Sequence, residues 1–173
     1  MKSFTHRMIG AARLDAATFE EVEADATATG QAMGVVLLVS IATGVGSVTA
    51  GGTGSFFFAG FLALVAWVVW AALTYVIGTR LLPEPQTHAN VGEMMRTIGF
   101  AQSPGILRVF IGIPGLGLLI LAVVSVWMLV TMVVAVRQAL DYKSTARALG
   151  VCVIGWVISV VLLLVAIMSG AVP

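Results

Sequence analysis

The chain is poor in charge. Only 10 % of its 173 residues are Asp, Glu, Lys or Arg, against roughly 25 % in an ordinary soluble domain. That shortfall argues against a soluble globular fold. Cysteine is nearly missing as well: Cys152 stands alone, so no disulfide framework exists within the chain. His6 and His88 are the two histidines and are far apart. No Cys/His ligand spacing and no nucleophile motif is present, so neither a metal nor a cofactor is expected and enzyme chemistry is not. The net charge of +1 leaves no basic footprint for a nucleic acid. No A-x-A site follows the first apolar run, which therefore reads as an anchor and not as a cleaved signal peptide.

What the chain has instead is apolar residues, 60 % of the total. They gather in runs long enough to cross a bilayer as helices. Four runs are plain: 32–50, 56–79, 115–136 and 149–172. A fifth, 93–113, is interrupted by Glu93, Arg96, Gln102, Pro104 and Arg108. The distribution of Lys and Arg decides its status, because short cytoplasmic loops collect them. If it crosses, Lys2, Arg7, Arg13, Arg80, Arg96, Arg137, Lys143 and Arg147 all fall on one side. The turns GGTGS and GIPGLG on the other side carry none. The expectation is an all-α membrane protein with five transmembrane helices, N-terminus cytoplasmic and C-terminus outside. The glycine-rich turns lack the Lys-Ser/Thr of a phosphate loop. Ala42, Gly46, Ala50 and Gly54 recur every fourth residue, a stripe suited to close helix packing.

The 93–113 segment is the least apolar. Pro104 removes a backbone donor and predicts a kink, in a bed of small residues. Arg108 is the intramembrane charge. It reads either as a functional group or as a side chain snorkelling to the headgroups. Gln102 is helix glue or a ligand contact. Gln102, Pro104 and Arg108 form the candidate intramembrane polar site.

Residues 1–30 form a separate N-terminal segment of one or two short amphipathic cytoplasmic helices, ahead of the membrane domain at 31–173. Phe4, Met8, Ala11 and Ala12 share one helical face, with basic residues around it, as in an interfacial helix. Five of the eight carboxylates then lie between Asp15 and Asp25. Thr18 with Glu21 fits a capping box, predicting a second helix from about Phe19. Exposed acids at an anionic leaflet would be repelled. Glu20, Glu23 and Asp25 are thus a candidate interaction or ion site, or a clamp whose basic partners are Arg80, Arg96, Arg137, Lys143 and Arg147.

RLDAATFEEVEAD, GFAQSPGIL, the IPGLG turn and the Trp127 span leading into VRQAL occur in an order that resembles the Yip (Ypt/Rab-interacting protein) domain family, in its short bacterial form. The resemblance implies five membrane helices and a cytoplasmic N-terminus. It places the family's acidic positions on Glu20, Glu23 and Asp25, and its third-span positions on Gly99, Ala101 and Pro104. Eukaryotic members bind Rab-type GTPases in membrane traffic, and a small-GTPase partner enters only by that analogy. The expected role is non-enzymatic: a membrane-organising protein, scaffold or complex subunit of the bacterial inner membrane. Its expected partners are the bilayer and other membrane-protein subunits or further copies of itself. The rival is a small-solute or ion transporter or channel using the polar third span.

Overall fold

The structure is a computed structural model and describes residues 3–49 and 56–168. Among these residues all regular structure is helical: α1 (Phe4–Ala12), α2 (Ala16–Ala24), a 3-10 turn (Ala26–Ala28), α3 (Thr29–Thr49), α4 (Phe56–Val76), α5 (Val91–Ala101), α6 (Gly117–Ala139) and α7 (Thr145–Met168). A π turn at Ile77–Leu81 closes α4, and a 3-10 stretch, Ser103–Gly112, follows α5. Four stretches have the length and apolarity to cross a membrane: Ala26–Val48, Gly60–Leu81, Gly117–Ala139 and Thr145–Leu162. They expose leucine, valine and phenylalanine over much of their surface, as a lipid solvent permits.

The segment expected as a kinked third helix is two unlike pieces. The α-helix stops at Ala101, and Pro104 enters at the first turn of the 3-10 stretch. There its missing N–H costs least. The carbonyl it would have bonded, Phe100 O, accepts instead from Ser103 Oγ at 2.6 Å.

Both pieces run beside α3 and α6. Gly99 lies against Ala32, Gly105 between Val39 and Met128, and Arg108 against Gly46. The numbers rise together, so this segment is parallel to α3. Against α6 they run oppositely, with Arg108 near Ser125 and Ile111 near Gly117. The approach at Gly46 is close: a Cβ there would collide with the Arg108 carbonyl oxygen. Ala42 of the small-residue stripe is buried; Ala50 and Gly54 lie outside the described residues.

At the basic end the loops are tied together. The Tyr142 hydroxyl lies 2.8 Å from the carbonyl oxygens of both Gly78 and Leu82 and shares its one hydrogen between them. Glu84 accepts from the backbone N–H of Lys143 at 3.1 Å and of Ser144 at 3.4 Å. The ends of α4 and α6 and the start of α7 therefore share one end of the bundle.

Candidate functional site

The N-terminal helices fold back onto that end. Helix α1 lies across α3, the third segment and α6. Its Phe4 ring meets Phe100 edge-on, with centroids 6.4 Å apart. At its other end the Ala12 carbonyl accepts from Trp127 Nε1 at 2.7 Å. Leu14, at φ 64°, turns the chain into α2. The N-cap of α2 is Asp15, which accepts from Ala17 N and, at 2.7 Å, from the Thr18 hydroxyl. The box expected at Thr18 and Glu21 does not form, because Thr18 is buried and already donates to Asp15. The capping box in this fold is Asn90 with Glu93, at the start of α5.

Arg7 is the centre of the arrangement. It is 1 % exposed. Its Nε and Nη2 donate to Glu21 Oε1 at 3.2 and 3.0 Å, Nη2 to Asp25 Oδ2 at 2.7 Å, and Nη1 to Gln31 Oε1 at 3.0 Å. One guanidinium thus links α1, α2, the chain beyond it and α3. Burial alone would lower the Arg7 pKa; its bonds to Asp25 and Glu21 outweigh that and raise it. Asp25 is held at about 2 by the Thr27 hydroxyl, which donates at 2.6 Å, and then by Arg7. Planar, multidentate arginine is suited to such a junction.

Arg96, 7 % exposed, joins α5 to α2 differently. Its Nε donates to the carbonyls of Val22 and Glu23 at 2.9 and 3.1 Å, and its Nη2 also bonds the Glu23 carbonyl. These carbonyls end α2, where a cation suits the helix dipole. The Glu23 carboxyl is half-buried beside this contact. Burial pushes it up to about 7, helped by Asp141, Glu93 and Glu20 and opposed by Arg96.

The acids therefore point to separate partners. Glu20 accepts from Gln138 Nε2 at 3.0 Å, Glu23 faces α5, and Asp25 faces Arg7. Among the described residues no group of three acid, His or Cys side chains could hold a metal ion. The proposed loop bases are placed elsewhere. Arg80 and Lys143 are exposed. Arg137 Nε donates to the Tyr142 carbonyl at 3.2 Å. Arg147 donates to the Pro83 carbonyl at 2.8 Å and pairs with Glu84 at 3.6 Å. The Lys143 backbone N–H is the first of several donors that lower the Glu84 pKa. The clamp's base is thus Arg7, with Arg96 acting on carbonyls. Arg137 and Arg147 bond the backbone carbonyls of Tyr142 and Pro83 instead. Arg7 was legible in one respect: it falls three residues after Phe4 and four before Ala11, on the inward stripe.

Within the bundle, Gln102 and Arg108 are half-buried and Pro104 is buried. Arg108 Nη2 donates to Ser125 Oγ at 3.4 Å. Gln102 lines a lobe of about 490 Å³ with Trp67, Trp70, Met132 and Ser159. A second lobe of about 420 Å³ shares Trp70 and Met132 and includes Ser125 and Trp156. Trp67 Nε1 is satisfied by the Met95 carbonyl at 3.0 Å.

No curated protein and no solved structure matches the chain. Residues 13–167 match the family model of the Yip1 domain. That match runs from the α1–α2 turn to the end of α7, and the chain belongs to the Yip1 domain family.

Proposed function

We propose that this chain is a non-enzymatic membrane-organising protein, a scaffold or a complex subunit, with five crossings of a bacterial inner membrane. In this reading residues 1–30 are a cytoplasmic unit, residues 31–173 are the membrane domain, and the C-terminus is outside. The fifth crossing is the α5/3-10 segment. At rises of about 1.5 and 2.0 Å per residue its two pieces total roughly 36 Å, enough for a hydrocarbon core of about 30 Å. Its parallel course beside α3 supports the same count, as does the shared end of α4, α6 and α7.

The observation that carries the role is the placement of α1. It is fixed across the bundle's flank by the Trp127–Ala12 bond, and Ile9 and Leu14 remain 47 % and 38 % exposed. Arg13 is exposed beside them. A helix with an apolar outer edge, held against one side of the bundle, wedges the surrounding leaflet and makes binding sensitive to curvature. The test is reconstitution in vesicles of graded diameter. The wild type should favour the small ones, and Ile9→Glu with Leu14→Glu should remove that preference. Equal distribution of the wild type would refute the role. A small-GTPase partner rests on family analogy alone and is not part of this proposal.

A second reading is transport of a small solute or ion, favoured by the cleft beside Gln102. Solute flux in liposomes that Gln102→Leu abolishes would support it.

A further inference from the structure

The cleft around Trp70 has a chemistry that the organising role does not use. Its two lobes meet at Trp70 and Met132, and their volumes fall in the range of ligand pockets, about 300–1,000 Å³. Trp156, on its rim, is 63 % exposed, so the cleft opens sideways among lipid-facing side chains. Two buried donors find no acceptor among the described residues: Trp70 Nε1 and Arg108 Nε. Arg108 lines neither lobe itself, but its Nη2 donates at 3.4 Å to Ser125, which lines the second. A guanidinium with an unused N–H inside a bilayer is costly unless an anion or a polar group meets it.

The missing complement is an anionic oxygen next to Ser125, joined to an apolar chain that fills the space between Trp70 and Trp156. Arginine binds phosphate oxygens through two N–H groups at once. Lateral opening makes the surrounding bilayer the source. Arg108 lies five residues before Ile113, roughly 10 Å at the rise of a 3-10 helix. Snorkelling and local thinning bring headgroups toward a charge at such depth.

We propose that the cleft binds an acidic phospholipid of the surrounding bilayer, with its phosphate at Arg108 and Ser125 and one acyl chain between Trp70 and Trp156. This goes beyond the organising role and stands or falls separately from it.

The full chain is reconstituted in phosphatidylcholine vesicles containing a small fraction of chain-brominated lipid, and tryptophan quenching is read. Brominated phosphatidylglycerol should quench more strongly than brominated phosphatidylcholine at equal fraction, because the choline ammonium already neutralises its own phosphate. Trp70→Phe combined with Trp156→Phe should remove most of the preferential component, locating it at the cleft. Arg108→Gln should abolish the preference and Arg108→Lys should keep part of it. Equal quenching of the wild type by the two lipids overturns the proposal without need of any variant. A preference that survives Arg108→Gln overturns it too.

Discussion

The Ser103 hydroxyl donates to the Phe100 carbonyl at 2.6 Å, in the place of the N–H that Pro104 lacks. Phe100 is fully buried, so a freed carbonyl there has no water to turn to. The residue before the proline therefore supplies the donor that the proline removes. Ser103→Ala should destabilise the fold by about 2 kcal/mol. Ser40→Ala is the control, because Ser40 bonds a Val36 carbonyl within an uninterrupted helix, and it should be close to neutral. Unfolding of the detergent-solubilised protein compares the two, and equal losses would contradict the substitution of one donor for another.

Arg7 holds the N-terminal helices. Replacing it with Met keeps most of the volume and removes the bonds to Glu21, Asp25 and Gln31. The cost should be about 2 kcal/mol, less than for a fully desolvated pair because both carboxylates retain some exposure. The loss should be local: hydrogen exchange in α1 and α2 should accelerate while α6 and α7 stay protected. Unchanged exchange in α2 would argue against the clamp.

Glu23 sets a pH dependence with a definite sign. Its folded pKa is about 7 against an ordinary 4.5, so the folded state binds the proton more tightly. Docking of α2 is therefore strongest below about pH 4.5 and weakens as pH rises toward 7, above which it is level. Asp25 runs the other way, but its pKa near 2 keeps it ionised throughout that window. The slope should amount to about 1–2 kcal/mol after solvent screening of a half-exposed carboxyl. Glu23→Gln should flatten it and raise stability at pH 8. Melting profiles between pH 4.5 and 8 read both effects, and a wild-type melt that rises with pH would contradict the assignment.

Gly46 and Gly30 both lie in α3 and should respond oppositely to alanine. At Gly46 a Cβ meets the Arg108 carbonyl, while at Gly30 it meets nothing within 4 Å. Gly46→Ala should cost about 1–3 kcal/mol through overpacking. Gly30→Ala should be neutral or gain up to about 1 kcal/mol from helix propensity. Parallel melts of the two variants make the comparison, and equal effects would remove the close approach as an explanation.

Much of the membrane domain was legible in the sequence because lipid imposes length and apolarity on each span. The four long apolar helices follow from that rule alone. The order of short motifs, from the acidic stretch to VRQAL, carried the family. The division at Gln102 was only half legible. Pro104 announced a break, but the change to 3-10 geometry depends on packing against α3 and α6. The clamp's partners were harder to read, for a different reason. Carboxylates look for cations in a sequence reading, and Arg7 counted as surface charge despite its place on the Phe4–Ala11 stripe. Arg96, Arg137 and Arg147 bond main-chain carbonyls, which every residue has and no residue type reveals.

The parallel course of the third segment beside α3 bears on the order of assembly. The two neighbours are separated in sequence by α4, and the groove between them is completed by α6, which follows. Ten residues of 3-10 helix are uncommon on their own, and Arg96, Gln102 and Arg108 make this segment a poor candidate to enter a bilayer unaided. If it makes the fifth crossing proposed above, it enters only when α6 arrives to close over it, and nascent chains halted before Gly117 leave it outside.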